Sequence, residues 1–109
     1  MTTATPTVFV VDDYAPVRSS ISRLLRAAGF LVAAFGSAGE FLAQYDPAIW
    51  GCLLLDVAMP ALNGLELQQI LAKAGSLLPI IFLTGQGDIP QSVQAMKHGA
   101  SDFLTKPVN

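Results

Sequence analysis

The sequence predicts a doubly wound α/β domain in which five parallel strands alternate with helices. Short apolar runs rich in valine, isoleucine and leucine recur along the chain, as is typical of strands covered on both faces of a parallel sheet. Between these runs lie segments with apolar residues at helical spacing, bounded by proline, serine and glycine signals. Strands and helices that alternate in this way imply right-handed crossovers within one sheet.

The first strand is predicted at Thr7–Val11, where every residue is apolar or β-branched. In the helix that follows, Pro16 suits the first turn and Gly29 is the stop signal. Helical spacing predicts that this helix buries one apolar face, formed by Val17, Ile21, Leu24, Leu25 and Ala28. Its opposite side is expected to be solvated and carries three cations: Arg18, Arg23 and Arg26.

The second and third strands are predicted at Leu31–Phe35 and Cys52–Leu55. Between them, the segment from Ser37 to Glu40 fits a capping box that opens a short helix. The third helix is expected from about Gly64 to Ala74, with Gly75 at its C-terminal cap. Its buried face is predicted to consist of Leu67, Ile70, Leu71 and Ala74.

Two further strands, at Ile80–Leu83 and Ser101–Thr105, are predicted on either side of a fourth helix. Asp88 is expected to cap that helix, Pro90 to lie in its first turn and Gly99 to end it. Its inward face is predicted to carry Val93 and Met96.

The composition excludes several classes of protein. A chain of 109 residues suits one domain, and a net charge of −2 with six scattered basic residues gives no footprint for nucleic acid or an anionic membrane. Cys52 is the single cysteine, so there is no disulfide framework. No apolar run approaches the roughly 18 residues of a membrane span. A cytoplasmic domain that does not bind a membrane is therefore expected.

Polar residues stand at the ends of the predicted strands. Asp12 and Asp13 follow the first strand, Asp56 the third, Thr84 the fourth and Lys106 the last. The carboxyl ends of parallel strands meet at one edge of the sheet, where α/β domains place their chemistry. Three carboxylates there repel one another unless a cation lies among them, and such oxygen ligands suit Mg²⁺ or Mn²⁺. The set is suited to a divalent metal and a phosphoryl group.

Four motifs then occur in order and at the spacing of successive strand–helix units: Val11-Asp12-Asp13, Leu55-Asp56 with Met59-Pro60 and Gly64, Thr84-Gly85, and Lys106-Pro107. Over essentially its full length, the chain resembles a bacterial response-regulator receiver domain. Two segments, from Thr84 to Asp88 and from Ala95 to Phe103, are similar to the FixJ-type branch. The resemblance implies a flavodoxin-like strand order of 2-1-3-4-5. It also implies a LuxR-type helix-turn-helix output domain in the full-length protein.

The resemblance implies a chemical role for each residue of the acidic set. Asp56 is expected to be the nucleophile that accepts a phosphoryl group from a sensor histidine kinase, forming an acyl phosphate. Asp13 would ligate the metal directly and Asp12 largely through water, while Ala58 would contribute its backbone carbonyl. Lys106 and the metal would neutralise charge on the transferring group. The domain is thus not expected to be an enzyme, beyond assisting its own phosphorylation and dephosphorylation.

The resemblance also implies a switch. Thr84 would move its hydroxyl onto the phosphoryl group, and Phe103 would turn inward behind it. The Lys106–Pro107 peptide bond is expected to be cis, which aims the lysine at the pocket. Family members commonly dimerise through the fourth-helix and fifth-strand face, so a homodimer through that face is a candidate assembly. DNA would be contacted through the output domain alone.

Two other functions remain open. A receiver-like adaptor that works without phosphorylation would be expected to lack an acid or the lysine, and none is lost here. A phosphohydrolase of the haloacid dehalogenase type would need Asp-x-Asp after the first strand and a cap region, whereas Asp12 and Asp13 are adjacent and the chain is short.

The end of the sequence carries a further expectation. A receiver domain ordinarily adds a fifth helix after its fifth strand, but the sequence given stops two residues after Pro107. We expect residues 1–109 to be a receiver domain cut before that last helix, with the output domain outside this chain.

Overall fold

The computed structural model describes residues 6–85 and 89–106. Five strands form one sheet: β1 (Thr7–Val11), β2 (Leu31–Phe35), β3 (Gly51–Asp56), β4 (Ile80–Thr84) and β5 (Asp102–Thr105). Four helices connect them: α1 (Ala15–Ala27), α2 (Ala38–Gln44), α3 (Gly64–Lys73) and α4 (Ile89–Lys97). All neighbouring strands are parallel and their order is β2-β1-β3-β4-β5. The predicted doubly wound, flavodoxin-like sheet is confirmed.

Each strand begins and ends within one residue of its predicted bounds. Two of the four differences lie where pairing with a neighbour extends the strand past the apolar run: Asp56 pairs with Leu83, and Thr84 pairs with Thr105. Both polar residues are therefore the last residues of their strands, which fixes their backbones at the carboxyl edge of the sheet.

Glycine and proline mark the helix ends as predicted. Pro16 lies in the first turn of α1. Glycines with positive φ angles of 97°, 78° and 98° follow three of the helices: Gly29 after α1, Gly75 after α3 and Gly99 after α4. The predicted cap of α4, Asp88, lies outside the described residues.

The capping box differs from its predicted place. At α2, Ser37 Oγ accepts a hydrogen bond from the Glu40 amide over 3.1 Å, but the reciprocal bond from the Ser37 amide to the Glu40 carboxylate is not formed between these described residues. The complete box is at α3. There the Asn63 side chain accepts from the Glu66 amide at 2.9 Å, and the Glu66 carboxylate accepts from the Asn63 amide at 3.0 Å. These bonds satisfy amides that a helix start leaves unpaired.

Apolar residues are buried on both faces of the sheet. The larger cluster packs one face against α2, α3 and α4, around the fully buried Phe41, Leu67 and Phe82. In the smaller cluster, Ile21 of α1 packs against the opposite face. Among the described helices, α1 alone contributes to that smaller cluster. The strand residues beneath it are Val8, Val10, Leu54 and Leu83.

The buried faces of α1 and α3 are narrower than predicted. Leu24 and Ile70, which were expected to be buried, are 49% and 39% exposed, and Ala28 and Ala74 are exposed too. Ser22 and Gln68 are buried in their place. Both side chains donate hydrogen bonds to backbone carbonyls: Ser22 Oγ to Arg18 at 2.7 Å, and Gln68 Nε2 to Ala95 at 3.0 Å. These bonds reduce the free-energy cost of burying the two polar side chains.

The inward face of α4 was also predicted wrongly. Val93 and Met96 are 50% and 38% exposed, whereas Ala95 is completely buried. A helix that packs closely on its neighbours needs a small residue at the contact, and in α4 that residue is Ala95. A prediction from side-chain hydrophobicity alone therefore chose the wrong face of α4.

Gly64 permits the close approach of α3 to the end of β3. A Cβ atom at this position would lie 2.4 Å from the Asp56 carbonyl oxygen and 2.9 Å from Val57 Cα. Both are backbone atoms, so neither can turn away as a flexible side chain could. The start of α3 and the backbone of Asp56 are thereby held in one fixed arrangement.

Gly64→Ala is expected to lower the free energy of unfolding by about 1–3 kcal/mol, because the added methyl group must displace backbone. Gly39→Ala in α2 is the matched control. Its Cβ would meet nothing closer than Ser37 Oγ at 3.9 Å, so stability should hold or rise by up to about 1 kcal/mol. Urea unfolding measures both, and equal effects would contradict the close approach.

Candidate functional site

Three carboxylates converge at the carboxyl edge of the sheet. One oxygen each from Asp12, Asp13 and Asp56 lies within 4.8 Å of the others. Asp12 and Asp56 are buried, at 0% and 3% exposure, while Asp13 is exposed. The structure thus brings together the three acids that the strand ends predicted, with one of them open to solvent.

Lys106 joins this acidic group from the residue after β5. Its Nζ lies 3.0 Å from Asp12 Oδ2 and 3.3 Å from Asp56 Oδ1. The lysine backbone is held as well, since its amide donates to the Thr84 carbonyl at 2.8 Å. A single ammonium group therefore bridges carboxylates from two strands, and it remains partly accessible, with 22% of its side chain exposed.

Backbone amides orient the two buried carboxylates. Asp12 Oδ1 accepts from the Tyr14 amide at 2.9 Å, and Asp56 Oδ1 accepts from the Ala58 amide at 3.3 Å. Asp12 Oδ2, although buried, receives no well-directed hydrogen bond within the described residues and has only the lysine ion pair. That open acceptor, beside the exposed oxygens of Asp13, fits a hard cation with oxygen ligands. These acids could hold a divalent metal.

The pKa of Asp56 is raised from its ordinary 3.8 to about 6. Burial is the largest cause and the negative charge of Asp12 adds to it, while Lys106 and the Ala58 amide act in the opposite direction. For Lys106, burial pulls the pKa down. Hydrogen bonding and the charges of Asp12 and Asp56 outweigh that effect, so the pKa of the lysine lies above its ordinary value and the group is a cation at neutral pH.

Thr84 and Phe103 lie on adjacent strands near this site. Thr84 is fully buried at the end of β4, and its hydroxyl donates to the Leu104 carbonyl of β5 at 3.4 Å. Phe103 is half-buried and packs against the larger core cluster. The Lys106–Pro107 peptide bond, expected to be cis, lies outside the described residues.

The sequence analysis missed one residue beside the site. Arg18 was expected on a solvated face, but it is half-buried and its Nη1 donates to the Asp12 carbonyl at 2.8 Å. Its place on the first turns of α1, six residues after Asp12, was the signal that could have revealed it. Side chains on a helix lean toward its N-terminus, so a long side chain in the first turn reaches the residues just before the helix.

Comparison with known proteins identifies the family. Residues 8–109 match the family described as the response regulator receiver domain. The chain belongs to that family. Nodulation protein W of Bradyrhizobium diazoefficiens is 52% identical over 100 residues, which cover 92% of this chain and 44% of the relative. Transcriptional regulatory protein FixJ of the same organism is 45% identical over 100 residues, covering 92% and 49%.

The fold agrees with this family. The crystal structure of FixJ-N superposes with a TM-score of 0.89 at 42% identity and covers 98% of this chain and 86% of that one. The predicted resemblance is confirmed, and so is the function it implies, a receiver in two-component signalling; nothing favours the adaptor alternative. This receiver domain spans less than half the length of the two curated relatives named above. Within residues 6–85 and 89–106, every helix is too short or too polar to cross a bilayer.

The raised pKa of Asp56 makes a prediction for the metal-free receiver domain. Because the folded state binds this proton more tightly than the unfolded chain, Asp56 stabilises the fold below about pH 4 and loses that contribution as the pH rises through about 6. A rise of the Asp56 pKa from 3.8 to about 6 corresponds to roughly 3 kcal/mol of stability. Asp56→Asn should therefore match the parent near pH 4 and be more stable by up to ~3 kcal/mol above pH 6.5.

Urea unfolding of both proteins from pH 4 to pH 7.5, with a chelator present, measures this difference. Titrating groups away from the site are common to the two chains and cancel in the comparison, whereas Asp12 and Lys106 interact with Asp56 and contribute to the difference. A difference that stays constant across this range would contradict a raised pKa at Asp56.

Proposed function

We propose that Asp56 is the residue of this receiver domain that accepts the phosphoryl group. The arrangement that carries the proposal is a buried carboxylate at a strand end, 3.3 Å from Lys106 Nζ and within 4.8 Å of two further acids. One Asp56 oxygen attacks phosphorus and forms an acyl phosphate. The bond from phosphorus to the histidine nitrogen of a kinase breaks, and that nitrogen keeps the electron pair.

A divalent cation, Mg²⁺ or Mn²⁺, would be held by Asp12, Asp13 and Asp56 together with the backbone carbonyl of Ala58. When bound, it supplies positive charge to the phosphoryl oxygens. The fit rests on the open Oδ2 of Asp12 and the exposed carboxylate of Asp13. With the charge of three acids offset in this way, Asp56 is ionised at neutral pH despite its raised pKa.

Lys106 has two tasks at different stages. Before transfer it offsets part of the negative charge of Asp12 and Asp56, which lie at the ends of β1 and β3, two strands that do not pair with β5. During transfer its ammonium, kept protonated by a raised pKa, stabilises negative charge on the equatorial oxygens of phosphorus. Because it is partly exposed, it can follow the phosphoryl group with a small movement.

Thr84 and Phe103 would convert this chemical change into a change of shape. Phosphorylation replaces one negative charge by about two and adds strong acceptor oxygens. The Thr84 hydroxyl donates a long hydrogen bond of 3.4 Å to the Leu104 carbonyl. It can give up this weak bond and donate instead to a phosphoryl oxygen. The half-buried Phe103 then fills the space behind it. The affected surface is α4 and β5.

That surface is the proposed site of homodimer formation. Val93 and Met96 of α4 and Leu104 of β5 are 50%, 38% and 40% exposed, so the face offers apolar side chains to a second copy. In the full-length protein, we propose phosphorylation by a sensor histidine kinase and a DNA-binding output domain. This follows relatives that are named transcriptional regulatory proteins. DNA contact would belong to that output domain.

Mg²⁺ at millimolar concentration should raise the melting temperature, since it binds the folded state alone. Asp13→Asn should abolish that response and leave the metal-free protein as stable or more so, because one repelling charge is removed. Asp46→Asn, the same charge change at the opposite edge of the sheet, should keep the response. A metal-free Asp13→Asn protein that melts much lower would show that Asp13 has a structural role instead.

Acetyl phosphate with Mg²⁺ should add the mass of one phosphoryl group to the receiver domain, and Asp56→Asn should not gain it. Thr84→Ala should still gain the mass but lose the response of α4 and β5, because its hydroxyl is needed after transfer and not during it. Intact-mass spectrometry and amide exchange with beryllofluoride measure the two effects. A parent protein that responds to neither reagent would overturn the assignment of Asp56 and favour a phosphorylation-independent adaptor.

A further inference from the structure

Arg18 holds the peptide that links the two neighbouring acids of the site. Its Nη1 donates to the carbonyl of Asp12 at 2.8 Å, and that carbonyl belongs to the Asp12–Asp13 peptide bond. The other polar groups of Asp12 are held too: its amide donates to Phe35 at 3.2 Å, and its Oδ1 accepts from Tyr14 at 2.9 Å. Without the arginine, the carbonyl side of Asp12 would lose its only side-chain anchor among the described residues.

The fold keeps the guanidinium in this place. The carbonyl of Arg18 accepts from the buried Ser22 hydroxyl at 2.7 Å, and its amide donates to Tyr14 at 3.0 Å. Gly36 at the end of β2 leaves room for the head group, since a Cβ there would lie 3.3 Å from Arg18 Nη1. The arginine is thus half-buried between α1 and β2, with its direction fixed.

Asp13 depends on this anchor more than the other two acids do. Asp12 and Asp56 each have a backbone amide and Lys106 to orient them. The exposed Asp13 carboxylate has no hydrogen-bond partner among the described residues. The direction of its side chain is therefore set by its backbone, and the peptide before it is the one that Arg18 holds.

We propose that Arg18 is a positioning residue of the divalent-cation site, acting through the Asp12–Asp13 peptide to aim the Asp13 carboxylate. The inference rests on the proposed metal-binding function of the three acids. The proposal predicts a change in metal affinity opposite in sign to the change expected from the arginine charge alone. A nearby cation repels a metal ion, so removing the arginine charge alone would tighten metal binding. Loss of its positioning bond would weaken metal binding.

Arg18→Met and Arg18→Lys test the proposal, with Arg23→Met as the matched control. Arg23 lies on the same helix, is exposed and has no side-chain partner in the described part of the chain, and its replacement changes the net charge equally. Mn²⁺ is the probe, with its free concentration followed by electron paramagnetic resonance and with Mg²⁺ as competitor. Circular dichroism without metal checks that each variant is folded.

Arg18→Met should weaken Mn²⁺ binding about tenfold, as loss of a group that orients metal ligands does. Arg18→Lys keeps the charge but loses the planar head group and should also bind more weakly than the parent. Arg23→Met should bind as tightly as the parent or slightly more so. With acetyl phosphate, Arg18→Met should need more Mg²⁺ but reach the parent's rate of phosphorylation at saturation, which a general loss of structure would not allow.

The proposal would be overturned if the Arg18→Met variant bound Mn²⁺ as tightly as the Arg23→Met variant. It would also be overturned if the phosphorylation rate of Arg18→Met at saturating Mg²⁺ stayed below that of the parent. If Arg18→Met does not fold, Arg18→Lys decides, and parent-like affinity in that folded variant overturns the inference. A parent protein that binds no Mn²⁺ would instead overturn the proposed metal site itself, so the two failures are distinguishable.

Discussion

The ion pair of Lys106 with two buried carboxylates is the interaction on which the site depends. Asp12 and Asp56 end different strands, and they are almost completely removed from water. Two negative charges so placed repel each other and lose solvation. The ammonium of Lys106, at 3.0 and 3.3 Å, offsets both effects at once. It can do so because the parallel order of the sheet brings the end of β5 to the same edge as β1 and β3.

The lysine compensates the acids only in part. Burial of Asp56 and the charge of Asp12 outweigh the lysine, so the pKa of Asp56 stays raised at about 6. Among the described residues, Asp12 Oδ2 has the lysine ion pair but no hydrogen bond. A second cation would complete the balance, which explains why a metal and not another lysine suits the site. In the proposed function, lower stability of the metal-free state is the cost of a carboxylate that would gain from cation binding and phosphorylation.

The surroundings of the acids divide into a rigid part and an adaptable part. Gly64 allows α3 to pack directly against the Asp56 backbone, and Arg18 of α1 donates a hydrogen bond to the Asp12–Asp13 peptide. The ends of β1 and β3 are therefore held in place. On the other side, Thr84 has a long hydroxyl bond, Phe103 is half-buried and α4 exposes apolar side chains. In the proposed function, phosphorylation at the fixed side would be followed by movement on the β4–β5 side, where the hydroxyl bond of Thr84 is long.

The sequence by itself determined the strands to within one residue, the helix order and the set of acids with Lys106, because apolar runs, capping signals and strand-end positions are local properties. Tertiary structure decided which residues the helices bury. Ser22, Gln68 and Ala95 replaced Leu24, Ile70 and Met96, since burial depends on the distance and shape of a neighbouring segment. Contacts between strands also decided that the pKa of Asp56 is raised to about 6, because its burial and its neighbour Asp12 come from other parts of the sheet. Spacing along a chain does not record such distances in space.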